Sequence, residues 1–153
     1  DQKRTFVEEF GVFYETFGLT RMAGRIIGFL VISNDSLSMG DLVDAIGTTK
    51  SAISTALKEL LQMRLLNRRT KAGSRRDFYE VKSDFSERIL VYQSQNYSSF
   101  KWVSEEGLSL LGPMDSVAKE KLTRLRNLFR FLESAVPKVL DLWDHEQSDK
   151  GKH

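Results

Sequence analysis

The chain has 153 residues, of which 41% are hydrophobic and 29% are charged, and its formal net charge is +2. This length suits one domain with its own hydrophobic core, and the composition is typical of a globular protein. The absence of cysteine excludes disulfides, thiolate zinc sites and thiol nucleophiles. The two histidines, His145 and His153, lie in or near a polar tail and indicate neither a metal site nor a general base. We therefore expect no enzyme, no catalytic residue, no metal and no cofactor.

The longest apolar stretch, residues 26–32, is far shorter than the roughly 20 residues that a membrane-spanning helix needs. The sequence also shows no signal-peptide pattern. We expect a soluble cytoplasmic protein that does not interact with membranes.

The positive charge is concentrated in one segment. Residues 50–76 contain eight basic residues and one acid, Glu59, whereas the rest of the chain holds 15 basic and 20 acidic residues. A cationic segment on a slightly acidic body is typical of a protein that binds a polyanion. A solvated charged face is the alternative, so the secondary structure of the segment decides between the two.

The N-terminal third of the chain predicts three helices. Phenylalanines at helical spacing give the first helix, over residues 5–19, a wide aromatic face. Thr20 has the chemistry of an N-cap for a second, buried helix, in which Gly24 and Gly28 lie one turn apart and favour close helix packing. A short extended piece around Leu37 precedes a third helix, which Gly47 ends. Ser38 and Asp41 have the spacing of a capping box at its start.

The fourth predicted helix begins after Thr49, the expected N-cap, and has two different faces. Its apolar residues follow the pattern of a helix docked on one side: Ile53, Ala56, Leu57, Leu60 and Leu61. The opposite face carries short or flexible polar groups: Ser51, Ser54, Thr55, Lys58 and Gln62. Such a face has the size and polarity to enter a DNA major groove.

A basic β-hairpin follows this helix. "LLNRRT" and "DFYEVKS" flank "KAGSRR", whose Ala72-Gly73-Ser74 tip suits a hairpin turn. Two helices, a tight turn and a basic hairpin predict a winged helix-turn-helix, with the hairpin as its wing. Residues 30–77 contain no aromatic side chain on which a single strand could stack, so we expect double-stranded DNA as the partner.

The C-terminal half predicts two long helices. The first runs from about Phe85 towards Leu111, and Gly112-Pro113 breaks it. In the last helix, apolar residues from Leu122 to Trp143 alternate spacings of three and four, the pattern of a coiled-coil seam. Pro137 lies inside this seam and predicts a kink or a fray point. The seam fits an intramolecular bundle or a dimer, and we favour the dimer because helix-turn-helix proteins commonly bind two half-sites.

Over residues 5–146 this order of elements resembles the MarR superfamily of bacterial transcriptional regulators. "LTRMAGRIIGFL" (19–30), "TTKSAISTALKELLQMRLLNRR" and "AGSRRDFYEV" are similar to its GbsR-like branch, and also to relatives that repress efflux or lipid-transport genes in actinobacteria. The resemblance implies a homodimer with its recognition helices in successive major grooves, wing arginines near the minor groove, and an effector pocket between the DNA-binding and dimerisation parts. Many members carry an acidic residue two places before the wing arginine. Here Ser74 stands in that place before Arg76, so Arg75 is our better candidate for DNA contact.

These observations predict a mainly α protein: a winged helix-turn-helix with a small β-hairpin wing, flanked by N- and C-terminal dimerisation helices. We place the DNA-binding domain at 20–84, the helical dimerisation region at 1–19 and 85–146, and a disordered tail at 147–153. The function we expect is that of a sequence-specific DNA-binding regulator, a repressor released by a small amphiphilic or apolar effector. The alternative is a winged helix that binds only protein and shows little salt-dependent affinity for DNA.

Three sets of residues carry these roles. The predicted DNA contacts are Thr49, Lys50, Ser51, Ser54, Thr55, Lys58, Arg68, Lys71, Arg75 and Arg76. Arg64 and Arg69 suit either DNA contact or structural roles, such as capping a helix end or pairing with Glu59 or Asp77. The predicted dimer contacts are Phe6, Phe10, Leu122, Leu125, Phe129, Leu132, Val136 and Val139. The residues that would line an effector pocket, or else belong to the core, are Phe13, Tyr14, Phe17, Tyr92, Tyr97, Phe100 and Trp102.

Overall fold

The computed structural model describes residues 2–150, which form six helices and three short strands. In chain order these are α1 (Gln2–Glu15), α2 (Arg21–Val31), β1 (Leu37–Ser38), α3 (Met39–Ile46), α4 (Lys50–Gln62), β2 (Leu66–Thr70), β3 (Asp77–Val81), α5 (Phe85–Ser109) and α6 (Ser116–Lys150). The strands form one antiparallel sheet in the order β1-β3-β2. The predicted mainly helical winged helix-turn-helix, with a small antiparallel wing and long C-terminal helices, is confirmed. The chain divides into two compact units, one ending at Arg88 and the other beginning at Ile89.

The predicted starts of α2 and α4 and the predicted end of α3 are confirmed, because each rests on local chemistry. The first helix differs: we expected it over residues 5–19, but α1 ends at Glu15 and the chain turns at Gly18, which has φ 78°. Thr20 is the N-cap of α2, and its hydroxyl accepts a hydrogen bond from the amide of Ala23. Thr49 caps α4 in the same way by accepting from the amide of Ala52. Gly47 ends α3 with a left-handed backbone conformation, at φ 69°.

The capping box at the start of α3 is also confirmed. The carboxylate of Asp41 accepts hydrogen bonds from the amide and the hydroxyl of Ser38, at 2.8 and 2.7 Å, and the Ser38 hydroxyl accepts from the amide of Asp41 at 3.2 Å. The side-chain and backbone hydrogen bonds of Ser38 lower the pKa of the Asp41 carboxyl. The charged form of Asp41 therefore stabilises the folded state.

Asp41→Asn should lower the free energy of unfolding at pH 7 by about 1 kcal/mol, because the amide is a weaker acceptor for the two Ser38 donors. A lowered pKa contributes stability that is present above the ordinary aspartate pKa and lost as pH falls through the lowered value. The gap between wild type and variant should thus be full at pH 7 and should shrink below about pH 4. Urea unfolding at pH 7 and pH 3 measures this difference in the free energy of unfolding. Asp44→Asn, on the same helix, is the control. A gap that stays equal at pH 3 and pH 7 would contradict this role.

In the first unit, α1 packs closely against α2 where glycines face each other. A Cβ atom at Gly24 would lie 2.7 Å from the Cβ of Tyr14 and 2.9 Å from the Cα of Gly11. One at Gly28 would lie 2.9 Å from the Cβ of Phe10. Burial of Tyr14 at this contact raises its pKa to about 12. α1 lies in the same compact unit as the winged helix, because these glycines let it dock on α2, and its part in dimerisation stays a prediction.

In the second unit, α5 and α6 meet through aromatic and ionic side chains. The ring of Phe100 stacks on Phe129 with centroids 4.6 Å apart, and Tyr97 lies 6.0 Å from Phe129. The Glu133 carboxylate accepts hydrogen bonds from Lys101, at 2.7 Å, and from Ser98, and these two bonds hold its pKa below the ordinary value. Part of the predicted seam on α6 is therefore used within the chain.

One expectation for α6 needs revision. The helix contains Pro137, the expected kink or fray point, without a break, and it extends to Lys150. Residues 147–150 are therefore helical and not disordered, and an ion pair between Glu146 and Lys150, one turn apart at 3.5 Å, supports this last turn. Residues 151–153 of the predicted tail lie outside the described residues.

Candidate nucleic-acid interface

The inner face of α4 is buried and its outer face is polar. Ile53, Leu57 and Leu60 are almost completely buried and pack the helix against the rest of the first unit. On the outer face, the predicted contact residues are exposed except for Ser54, which is half-buried: Lys50, Ser51, Ser54, Thr55 and Lys58. The helix thus presents hydroxyls and two lysines, Lys50 and Lys58, along its outer side.

The N-terminal end of α4 suits a phosphate oxygen. The Thr49 hydroxyl accepts from the amide of Ala52 at 3.2 Å, so its oxygen serves the helix cap and its proton is still available to donate. Lys50 is exposed in the first helical turn, where a cation opposes the helix dipole. An anion at this end would reverse that cost, because backbone amides and the Lys50 ammonium would both face it.

The wing is the β2–β3 hairpin, with its tip at the predicted position. Gly73 adopts the left-handed conformation at φ 79°, and the amide of Ser74 donates to the carbonyl of Lys71 at 3.1 Å. Strand pairing aligns Thr70 with Asp77 directly below this tip. Arg75 and Arg76 follow the turn and are both exposed. The tip therefore carries two adjacent guanidinium groups that can reach a polyanion.

The other wing cations have partners within the hairpin. Arg69 pairs with Glu80 at 2.6 Å, so the partner we considered, Glu59 or Asp77, is wrong for this residue. Register explains the difference, because Arg69 and Glu80 lie on the same face of the paired strands whereas Asp77 lies on the other. Arg68, a predicted phosphate contact, lies 3.8 Å from Asp77 and stays largely exposed. The Lys71 ammonium sits 4.2 Å from the centre of the Phe78 ring, an exposed cation–π contact.

Arg64 has a backbone role at the end of α4. It is the non-glycine residue with positive φ among residues 2–150, at 57°, and its amide donates to the carbonyl of Leu61 at 3.0 Å. The chain turns there from α4 into β2, so the backbone of Arg64 lies at the end of the helix. Its side chain is exposed, and a DNA contact by this arginine stays a prediction.

A cleft of about 530 Å³ separates the start of α3 from the wing. Its lining combines acidic and basic groups from both sides: Asp41, Asp44, Lys50, Arg76 and Asp77. After the Ser38 hydrogen bonds, the positive charges of Arg76 and Lys71 further lower the pKa of Asp41. The amide of Arg76 donates to the Ser74 hydroxyl at 3.1 Å. Asp41 on α3 and Asp77 on the wing therefore both place a carboxylate in the cleft that Arg76 also lines.

The residues predicted for an effector pocket are divided between the two units. Tyr14 is buried in the α1–α2 contact, and its neighbours Phe13 and Phe17 meet edge to face with centroids 4.8 Å apart. Tyr97 and Phe100 contact Phe129, whereas Trp102 is 61% exposed. A second cleft, of about 310 Å³, is lined by other residues: Lys3, Arg4, Val7, Glu8, Arg25, Phe29, Ala45 and Ile46.

One contact of α4 was not predicted. Glu59, which we considered as a partner for arginine, accepts a hydrogen bond from the hydroxyl of Thr20 at 2.8 Å instead. The two residues are 39 positions apart, so no local pattern indicates the pair. The N-cap chemistry of Thr20 was the one available signal, because a helix start attracts carboxylates.

Within residues 2–150 no helix is long and apolar enough to cross a membrane. The same part of the chain contains no group of three or more histidine, aspartate or glutamate side chains placed to hold a metal ion.

Comparison with known proteins gives consistent matches along the chain. It is 26% identical over 136 residues to the HTH-type transcriptional regulator MmpR5 of Mycobacterium tuberculosis, covering 88% of this chain and 82% of that protein. It is 22% identical over 131 residues to the HTH-type transcriptional repressor OpcR of Bacillus subtilis, covering 79% and 71%. A crystal structure described as that of a transcriptional regulator is 25% identical, covers 95% of this chain and 99% of that one, and superposes with a TM-score of 0.78.

Two family models match successive parts of the sequence. One, described as MarR family, matches residues 17–77, which include the recognition helix and most of the wing. The other, described as MmpR5-like MarR family transcriptional regulator, matches residues 84–147, which include α5 and most of α6. The chain belongs to the MarR family of winged helix-turn-helix transcriptional regulators.

Proposed function

We propose that this protein binds a specific double-stranded DNA operator as a homodimer and represses transcription until a small effector releases it. The observation that carries the DNA-binding part is the pairing, in one compact unit, of the exposed polar face of α4 with the cationic tip of the wing. A helix with an outward polar face is the standard reader of the major groove, and a flexible basic hairpin reaches phosphates or the minor groove. The name of the relative OpcR supports repression as the direction of control.

The two elements have different tasks in this proposal. The proposed base contacts are Ser51, Ser54, Thr55 and Lys58, of which the lysine distinguishes guanine and the hydroxyls discriminate less. The remaining contacts of the proposed interface position the protein on phosphates, and they come from Thr49, Lys50, Arg68, Lys71, Arg75 and Arg76. Base contacts determine which sequence is bound, and phosphate contacts determine how strongly salt weakens all binding.

Lys58→Ala and Arg75→Ala should therefore change DNA binding in different ways. Lys58→Ala should narrow the gap between operator and scrambled duplex by about 1–3 kcal/mol for each base edge that the lysine no longer reads. Arg75→Ala should weaken binding to every duplex and reduce the salt slope by about one unit for each phosphate that the arginine no longer neutralises. Titration of both variants against both duplexes at several salt concentrations measures the difference.

Lys138→Ala is the matched control for that titration, because it removes the same charge from an exposed position of α6 in the other unit. It should leave the discrimination between duplexes unchanged. If Lys58→Ala and Arg75→Ala change neither affinity nor salt slope, α4 and the wing do not contact DNA. A winged helix that only binds protein would give that result.

The homodimer rests on apolar surface left exposed on α6. Leu128 is 52% exposed, Phe131 is 66% exposed, and Leu125, Val139 and Leu142 are exposed as well. Chains of this size rarely leave a continuous apolar face in water, so a second copy is the proposed cover. The predicted dimer contacts Phe6, Phe10 and Leu132 remain part of this proposal, whereas Val136 is buried within the chain.

The effector proposal rests on aromatic side chains that the chain leaves accessible. Phe13, Phe100 and Trp102 are all more than half exposed, and apolar or amphiphilic molecules bind such rings. An effector that weakens DNA binding must itself bind more weakly to the DNA-bound protein, by the same factor. A panel of lipids, quaternary amines and aromatic compounds that shifts neither the melting temperature nor the DNA affinity would remove this proposal.

We also propose that the chain belongs to the GbsR-like branch of the family, on the basis of the motif at residues 19–30.

A further inference from the structure

Glu59 joins the proposed recognition helix to the start of α2. Its Oε2 accepts a hydrogen bond from the Thr20 hydroxyl at 2.8 Å, and its Oε1 accepts a longer one from the Thr20 amide at 3.4 Å. The same hydroxyl accepts from the amide of Ala23 at 3.2 Å as the N-cap of α2. A hydroxyl has one proton to donate and two lone pairs, so it satisfies both partners at once. α4 is thus tied to a fixed point at the end of a helix whose body is buried.

The start of α2 is an electrostatically favourable place for the carboxylate of Glu59. Glu59 is the single acid in the basic segment 50–76, and a carboxylate directed at DNA would repel phosphates. At the start of α2 it faces unpaired backbone amides, which carry partial positive charge. Glu59, the acid in this basic segment, is therefore bonded to Thr20, away from the outer face of α4.

Apolar packing alone does not fix how α4 is turned about its axis. Ile53, Leu57 and Leu60 hold it to the core, but the hydrophobic effect is non-directional and tolerates small rotations. A hydrogen bond is directional and weakens steeply away from its preferred geometry. Glu59 follows Lys58 directly and lies one helical turn after Thr55, so a rotation about the axis moves both of these side chains.

We propose that Glu59 is a positioning residue, whose bond to Thr20 fixes the rotation of α4 and thereby aligns Lys58 and Thr55 with the base edges. Glu59 acts through the helix and does not itself contact DNA. The inference rests on the proposed function, since it assigns Glu59 a part in sequence reading by α4.

Two substitutions at position 59 separate position from charge. Glu59→Asp keeps the charge but is one methylene shorter, so the carboxylate no longer reaches Thr20. Glu59→Gln removes the charge but keeps both the length and a carbonyl acceptor for the hydroxyl of Thr20. At position 20, Thr20→Val removes the hydroxyl and Thr20→Ser keeps it. Ile53→Val weakens the packing of the same helix from its inner face and serves as the control for stability.

The experiment titrates the 153-residue chain and each variant with two duplexes: the one recovered by selecting bound genomic fragments, and a scrambled duplex of equal length. Glu59→Asp and Thr20→Val should each reduce the ratio of the two affinities by about tenfold, the effect of misaligning one base contact. The double variant Glu59→Asp/Thr20→Val should lower this ratio no more than either single variant does, because both substitutions break the same hydrogen bond. Glu59→Gln, Thr20→Ser and Ile53→Val should keep the ratio within about a factor of two, although Ile53→Val lowers the melting temperature.

The outcomes are distinct. If Glu59→Asp keeps the ratio while Glu59→Gln changes it, the residue acts through its charge and the positioning role is wrong. If Ile53→Val reduces the ratio as much as Glu59→Asp does, loss of stability explains the effect and the positioning role is again wrong. If the wild type does not distinguish the two duplexes, the proposed function fails and this inference falls with it. Discrimination by the wild type that Glu59→Asp retains overturns only the inference.

Discussion

The double substitution Leu128→Glu/Phe131→Glu should convert the proposed dimer into monomers and reduce affinity for the operator by about 10²–10⁴-fold, the gain that linking two binding modules provides. Both side chains are more than half exposed on α6, so glutamates there can be hydrated in a monomer and the helix should persist. In a dimer the same positions would bury four charges without partners. A monomer binds one half-site at a time, which removes the advantage of simultaneous contact with two.

Sedimentation at micromolar concentration and DNA titration measure the two effects together. Asn127→Glu/Ser134→Glu is the control, because it adds the same charge at exposed polar positions of the same helix. It should remain dimeric and bind operator as the wild type does. A wild type that sediments as a monomer at that concentration would end the dimer proposal, whatever the variants do.

Gly24→Ala should cost about 1–3 kcal/mol of folding free energy through overpacking. The added methyl group would meet the Cβ of Tyr14 at 2.7 Å, the Cα of Gly11 at 2.9 Å and the carbonyl oxygen of Phe10 at 3.1 Å. These atoms belong to the backbone of α1 or lie next to it, so no change of side-chain rotamer relieves the contact. Alanine favours a helix over glycine by about 1 kcal/mol, and this gain offsets only part of the cost. α1 must move away from α2 for the methyl group to fit.

Gly40→Ala provides the matched control, because it makes the same chemical change in a different helix. A Cβ there meets only the Ser38 hydroxyl oxygen, at an ordinary distance of 3.7 Å. The helix preference is then unopposed, so Gly40→Ala should raise the free energy of unfolding by up to about 1 kcal/mol. Urea denaturation of both variants measures the contrast. If Gly24→Ala proves as stable as the wild type, α1 and α2 are not in close contact at this point in solution.

Features that depend on neighbours along the chain could be predicted from the sequence. The caps at Thr20, Thr49 and Ser38 with Asp41, and the helix end at Gly47, each involve residues within one turn, so their spacing carries the information. The hairpin was predictable for the same reason, since Gly73 marks its tip. Contacts between distant parts of the chain carry no such pattern, and the pair formed by Thr20 and Glu59 is one example.

The seam on α6 shows a different limit of sequence patterns. Apolar residues cover roughly half of the circumference of this helix, but spacing alone does not say which part faces a neighbour in the same chain. Phe129 and Val136 face inward in the structure, Leu122 lies against Gly107, and Leu125 and Val139 stay exposed. Leu128, Phe131 and Leu142 extend the exposed part and fall outside the three-four spacing, so the predicted seam did not include them.

Under the proposed function, the separation of the two faces of α4 also bears on how operator preference can evolve. The inner face, with Ile53, Leu57 and Leu60, makes the contacts on which folding depends, whereas Ser51, Thr55 and Lys58 are exposed. Exchanges at exposed sites of this kind usually change folding stability by no more than about 0.5 kcal/mol. The protein encoded by a duplicated gene could therefore accept substitutions on the outer face one at a time and still fold. Such a copy could acquire a new set of target promoters while the scaffold that presents the helix stays under selection.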